Sequence, residues 1–454
     1  MIASDVPIHE ELRTAAFRPM SRSGWRFWAI AAGLAAVVAF GVVAYIYQMR
    51  HGLDSAGYND QAFWGIYEAN LVAFIGVSYG GALVSAILRL TNARWRAPIT
   101  RMSEAMALFA LLVGMSFALI HLGRPERIWR MVLTPEISSP LVWDFVAIMS
   151  YLIITLCFLY LPLIPDIALA RDRMTSAGRF RRWLYRTFAI NWRGLPAQRK
   201  DLARSVTAVA IIIIPLAVVV HSVLSWAFAV TTRPGWNSTI FGPYFVVAAL
   251  YSGIAMVILV VAAFRRAYHL EDHIHPAHFR RLAFLMITLG LAYLYFTFAE
   301  MLTEGYKHTE EITPLLEALL IGRFAAYFWL FVAMAGVLPL LLVALPQTRT
   351  IPGIVLASTL VVAGMWLKRM LIVVPAATNP QIQGAWGDFR MTWVAVGVTV
   401  AGVAAIPLLL MLFFKLVPIL AISEIEEIAA EEQMEHETAV MKPGLTFRAE
   451  GVQA

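Results

Sequence analysis

Apolar residues fall in ten long runs, at about 27–48, 62–89, 103–122, 140–164, 205–230, 242–264, 281–301, 317–345, 352–372 and 392–418, separated by short polar connections. Each run is close to the roughly 20 residues an α-helix needs to cross a bilayer. The pattern predicts an all-α integral membrane protein with ten transmembrane helices over 27–418, preceded by a polar arm at 1–26 and followed by an acidic tail at 419–454. Ten crossings put both termini on one face. The first residues are polar with scattered arginines, and the apolar run behind them is longer than a signal peptide's and lacks a small-residue cleavage site, so no removal is expected.

Composition supports this reading. Hydrophobic residues make up 60% of the chain and charged ones 14%, where a soluble domain carries about a quarter charged. A water-soluble globule is excluded. The single cysteine, Cys157, cannot build a disulfide framework, a cysteine-ligated zinc site or an iron–sulfur cluster. Any metal redox centre therefore belongs to partner subunits, and no metal ligand set is expected here.

The net charge of +7 reads as topology rather than nucleic-acid binding. The N-terminal arm and the connections after spans 2, 4, 6 and 8, edges included, hold 23 Lys or Arg against nine on the other side. The positive-inside rule then expects both termini in the cytoplasm. The longest connection contains RFRRWLYRTFAINWR, arginines interleaved with Trp183, Leu184, Phe188 and Trp192. Beside a membrane span this reads as a helix lying on anionic lipid headgroups rather than a nucleic-acid surface. The segment SEIEEIAAEEQMEHE after span 10, with Ile422, Ile425 and Ile428 at helical spacing, is expected to remain a solvated tail, with docking of a partner as the alternative.

Ionisable groups inside a bilayer are costly and mark a pathway, a ligand site or a buried pair. Reading depth along each run places His121, Asp144, His221, Glu68, Glu300, Lys368 and Arg369 near the outer face, with little beyond Glu104 in the inner half. That distribution suggests one outward-opening pocket rather than a channel or secondary transporter, which needs polar groups to the midplane. A purely structural anchor would not need the cluster at all.

In HLGRPERIWRM an imidazole (His121), a flexible Gly123, a guanidinium (Arg124) and a helix-stopping Pro125 stand together where span 3 leaves the membrane. SSPLVWDF then opens span 4, with Asp144 one turn in. Each has a plain structural alternative: a hydrogen-bonded helix-end histidine, and an ion pair of Asp144 with Arg124 or Arg127 that staples the loop. His121 and His221, the only histidines inside spans, allow one b-type haem by count, although further stacked histidines are absent. HLEDHIHPAH, in a short connection without cysteine, reads as a solvated loop.

HLGRPERIW, SPLVWDF, HSVLSWAFAV, PGWNSTIFGPYFVVAALYSGIAMVI, LEDHI and GMWLKRM, in order over roughly residues 60–395, resemble the NrfD/PsrC family of quinone-interacting membrane subunits, and most of all the quinol-binding subunit of alternative complex III. The resemblance implies two four-helix bundles, spans 2–5 and 6–9, flanked by one helix at each end. It implies quinol oxidation near the periplasmic face of the bacterial cytoplasmic membrane, with menaquinol or ubiquinol as bound substrate. Electrons pass to a periplasmic iron–sulfur subunit, and a second NrfD-like membrane subunit and c-type cytochromes are the further expected partners. A polysulfide-reductase-like complex with a molybdenum partner is the alternative.

Carried over by position, His121 matches the family's quinol-contacting histidine and Asp144 its proton-accepting aspartate. Around them the expected roles are Arg124 keeping Asp144 ionised, His221, Trp226 and Ser222 holding the second quinol oxygen and ring, and Glu68, Glu300, Lys368 and Arg369 forming a proton path. Ala227 and Tyr79 stand where the family carries an acidic residue and a histidine, and any route through those groups is missing here.

Overall fold

The computed structural model describes residues 5–21, 23–174, 178–380 and 385–441, and among them every regular element is helical. Hydrocarbon offers no partner for a backbone amide, so a crossing segment must close its own hydrogen bonds. In chain order the helices are α1 (Asp5–Ser21), α2 (Trp25–His51), α3 (Ile66–Leu90), α4 (Ala97–His121) and α5 (Arg130–Leu133). Then come α6 (Pro140–Arg173), α7 (Arg179–Phe188), α8 (Pro196–Ala229), α9 (Phe241–Tyr268), α10 (Pro276–Lys307) and α11 (Thr313–Leu320). The last are α12 (Ala325–Val332), α13 (Leu338–Ala344), α14 (Ile351–Thr378), α15 (Trp393–Phe413) and α16 (Ile422–Met441). Among the described residues, ten crossing elements are long and apolar enough to span a membrane: α2, α3, α4, α6, α8, α9, α10, α12 with α13, α14 and α15. The chain is a multi-pass integral membrane protein.

Most crossings outlast the apolar runs, because a helix continues through the interface after hydrophobicity ends; α6 reaches Arg173 and α10 starts at Pro276. The expected eighth span at 317–345 is shorter. The chain turns at Gly322, whose amide donates to Glu317 O at 2.8 Å, so α11 separates from α12. A π-helical turn, Ala333–Val337, then joins α12 to α13.

The central helix is α3, packed against α4, α8, α9 and α14. The helix α6 touches α4 and α8, while around the other side α10 and α14 contact each other and each touches both α9 and α13. At the periphery α2 pairs with α15, which also touches α4. Where α3 meets α9, a Cβ on Gly80 would lie 2.3 Å from Gly253 Cα. Small residues permit such backbone approach in a membrane, where packing replaces the hydrophobic drive. Gly80→Ala is accordingly expected to force the two helices apart and cost about 1–3 kcal/mol, read as a lowered thermal midpoint of the purified protein.

Both described terminal segments dock on one face, called here the terminal face; the other is the distal face. Ile419 donates its amide to Ala16 O at 3.2 Å, and Leu12, Ala16 and Met20 are buried. Ser423 donates to Asp166 Oδ1 from its amide (3.0 Å) and its hydroxyl (2.7 Å). Glu424 pairs with Arg89 at 2.9 Å and with Arg96. The start of the acidic tail is therefore docked, not solvated. Asp166 Oδ2 meets Arg101 Nη2 at 2.9 Å, with both side chains at most 1% exposed. The pair adds a buried charge cluster toward the terminal face. Both residues stand just beyond the predicted runs, and the longer helices carry them inside.

Candidate functional site

At the distal face the loop before α3 and the end of α4 converge. Glu68 occupies the third position of α3, where a carboxylate satisfies amides left free at a helix start. Its Oε2 accepts from Gly65 N at 2.7 Å and from the Tyr58 hydroxyl at 3.0 Å. Tyr58 in turn accepts from Tyr67 N at 3.0 Å. Burial, reinforced by the Glu68 carboxylate, pushes the Tyr58 phenol well above its usual range, so it remains a donor.

The second Glu68 oxygen, Oε1, pairs with Nδ1 of His121, the last residue of α4. The Glu68 side chain is 5% exposed and that of His121 22%. The carboxylate is thus enclosed and the imidazole is its opening to the outside. Trp64 meets the imidazole edge-on at 6.3 Å and Tyr58 lies 6.2 Å away. Tyr67 donates to Gln48 Oε1 at 2.6 Å, and Gln48 Nε2 donates to Ile120 O at 3.3 Å, tying α2 to the turn that carries His121.

Immediately after His121 the chain needs a left-handed residue, Gly123 at φ 65°, a conformation glycine adopts without strain. The turn it makes walls an open cavity of about 510 Å³ lined by Leu53, Leu122, Arg124, Arg127, Ile128 and Met131 among others. The lining is mostly apolar, with Arg124 and Arg127 as its charged members.

A second polar cluster is fully interior. His221 on α8 is 1% exposed, its ring tilted against that of Tyr79 with centres 4.4 Å apart. Around it, Tyr244, Tyr293 and Arg369 enclose a space of only about 10 Å³. Arg369 donates to Met365 O at 2.7 Å and to Ser252 Oγ at 3.1 Å. Lys368 Nζ sits 5.8 Å from the Tyr244 ring and within electrostatic range of buried Glu300.

Of the residues singled out from sequence, the fold joins Glu68 to His121, two groups read as belonging to different roles. It groups Glu300, Lys368 and Arg369 with His221 through Tyr244 and Tyr293. Arg124 lines the cavity. Asp144, on α6, makes no ion pair among the described residues, and its Oδ1 has no hydrogen-bond partner there, so neither the stapling pair nor the stabilising Arg124 contact is formed. His221, Ser222 and Trp226 do not assemble into one wall. Five residues advance a helix by about 140° beyond a full turn, so Trp226 is 46% exposed while His221 is buried, and Ser222 spends its hydroxyl on Val218 O. Trp226→Ala is expected to leave quinol turnover within about twofold of the parent, the usual outcome at an exposed position away from the chemistry, as a steady-state assay would show.

Tyr58, Trp64, Tyr67 and Gln48 went unrecognised. Aromatic residues near a span end ordinarily form the interfacial belt, and only the density of the GYNDQAFWGIYE segment hinted otherwise.

A family model described as polysulphide reductase, NrfD, matches residues 54–381. A putative membrane subunit of a dimethyl sulfoxide reductase from Halobacterium salinarum is 29% identical over 78% of this chain and 78% of its own length. A selenate reductase subunit from Mesobacillus selenatarsenatis is 25% identical, covering 77% of this chain and 82% of its own. An Hdr-like menaquinol oxidoreductase integral membrane subunit from Archaeoglobus fulgidus is 25% identical over 80% and 83%.

Proposed function

Because the chain belongs to the polysulphide reductase NrfD family, we propose that it is the quinone-reactive membrane subunit of a multi-subunit oxidoreductase and oxidises a quinol at the distal face. The observation that carries this reading is the His121–Glu68 pair, an enclosed carboxylate behind a partly exposed imidazole, followed in the chain by Leu122, Gly123 and Arg124, which line an open cavity.

Quinol oxidation releases two electrons and two protons. In the His121 tautomer that carries its proton on Nδ1, facing the Glu68 carboxylate it pairs with, Nε2 is left as an acceptor for a quinol hydroxyl. As electrons leave, Nε2 takes the proton, and the imidazolium is stabilised by the carboxylate behind it, the logic of general base catalysis by a supported histidine. Tyr58 and Gly65 hold Glu68 with its other oxygen already satisfied, so the carboxylate keeps one orientation. Arg124 orients a head-group oxygen from the cavity, and Asp144 accepts the second proton. Protons leave to the periplasm if the basic terminal face is cytoplasmic, as the charge asymmetry supports.

Electrons pass to a cofactor-bearing partner docked at the distal face. In the alternative complex III reading that partner is a periplasmic iron–sulfur subunit, accompanied by a second NrfD-like membrane subunit and c-type cytochromes. The names of the Halobacterium and Mesobacillus relatives favour the second reading, a terminal reductase with a molybdenum subunit as acceptor. The work of this chain is the same in both.

Binding of a menaquinone analogue to the purified complex, with His121→Leu as comparison, tests the site. Loss of one hydrogen bond to an ion-paired imidazole is expected to weaken binding about 10- to 100-fold. Unchanged affinity in that variant removes His121 from the site.

A further inference from the structure

The connection between α6 and α8 carries α7, whose side chains divide into three sectors. One sector is docked. Tyr185 is 1% exposed, and Arg181 donates to Met20 O at 3.2 Å and to Lys415 O at 3.1 Å. The carbonyl of Phe188, at the end of the helix, accepts from the Tyr160 hydroxyl of α6 at 2.9 Å. At about 100° per residue, Phe180 and Trp183 fall together on a second sector, 63% and 58% exposed, with ring centres 6.1 Å apart. Arg179, Arg182 and Arg186 share the third, all exposed and without an ion pair among the described residues.

The aromatic sector lies between the docked and the basic ones. A helix fastened sideways to the bundle thus shows rings on one flank and guanidinium groups on the next. Past the helix, Ile190 adopts φ 42°, costly for a β-branched residue, and remains 60% exposed. An apolar side chain kept outward on a strained backbone gains nothing in water.

The neighbours decide what covers this surface. Ile153 on α6 and Ile211 on α8 are 61% and 55% exposed on helices that cross the membrane, so hydrocarbon already bathes the two elements α7 connects. The helix sits on the terminal face, where Lys and Arg accumulate, and cytoplasmic leaflets carry the anionic lipid.

We propose that α7 is a binding surface for anionic phospholipid of the cytoplasmic leaflet, with Arg179, Arg182 and Arg186 holding headgroup phosphates and Phe180 and Trp183 seated among the acyl chains. The inference is independent of the quinol reading, because the site lies at the opposite face from His121. A basic residue near an anionic leaflet contributes about a fivefold gain in partitioning, so three contribute on the order of a hundredfold.

The test is native mass spectrometry of the full-length protein released from nanodiscs of equal phosphatidylglycerol and phosphatidylcholine. The parent is expected to retain phosphatidylglycerol preferentially, and Arg179→Gln/Arg182→Gln/Arg186→Gln to lose that preference about a hundredfold. Phe180→Ser/Trp183→Ser, with every arginine kept, is expected to lower retention as well, which a site for free phosphate would not feel. If the triple variant does not fold, the three single variants, each expected to lose about fivefold, carry the test. Equal retention of both lipids by the parent, unchanged preference in the arginine variants, full retention in the aromatic variant, or binding of RNA or a soluble protein without lipid preference would overturn the proposal.

Discussion

Glu68→Gln is expected to lower quinol oxidation by about 10²- to 10⁴-fold, the range over which a positioned base contributes, while the complex assembles and the protein keeps its melting temperature. Glutamine is close in shape and still accepts from Gly65 N and Tyr58, so the start of α3 is preserved. It cannot balance an imidazolium. Proton transfer to His121 then creates an unpaired cation beside low-dielectric protein, and the barrier rises. Analogue affinity changes far less than turnover, because the glutamine NH2 faces Nδ1 and leaves the neutral imidazole protonated at Nε2, able to donate to a quinone oxygen but not to take the quinol proton. The discriminating measurement is therefore kcat against analogue Kd in one preparation. A fall in both by the same factor would make Glu68 a binding residue, and normal turnover would discard the dyad. Asp144→Asn, measured alongside, reports whether the second proton leaves through α6; a normal rate assigns that proton elsewhere.

The ten crossings were legible because a bilayer leaves a chain with few options: each long apolar run must be a helix, and ten runs make ten helices. Helix ends were not, since α6 and α10 continue where the apolar run stops. Depth was partly legible too, and it placed Glu68, His121 and Asp144 near one face. What a one-dimensional reading lacks is the rotation of each helix about its axis. Glu68 and His121 lie on different helices and meet only because the Gly65 turn and the Gln48–Ile120 tie set their azimuths. For the same reason Trp226 was read as a partner of His221 although it faces outward. Arg101 and Asp166 were overlooked because they lie just outside the apolar runs that defined the membrane.

Those two residues carry the second large effect. Asp166→Ala is expected to destabilise the protein by about 3–5 kcal/mol, the cost of leaving one member of a buried ion pair without its partner. Arg101 makes its described hydrogen bonds through Nη2, to Asp166 and to Pro162 O at 3.1 Å, and its Nε and Nη1 have no partner among the described residues. Removing the carboxylate strands the cation. It also takes away the acceptor of the Ser423 amide and hydroxyl, so the start of α16 loosens from α6. A lowered thermal midpoint should thus appear together with faster proteolysis around residues 419–424. The double variant Arg101→Met/Asp166→Leu is expected to recover much of the midpoint, because matched apolar groups can replace a buried pair without penalty, but not the protection of the cleavage site, which needs the Asp166 oxygen. Quinol turnover per folded molecule should remain within about twofold, because the pair lies toward the terminal face and the chemistry at the distal one. An Asp166→Ala protein that melts with the parent would show the pair to be hydrated and of little consequence; one that melts normally yet fails in turnover would instead make Arg101 and Asp166 part of a path linking the two faces.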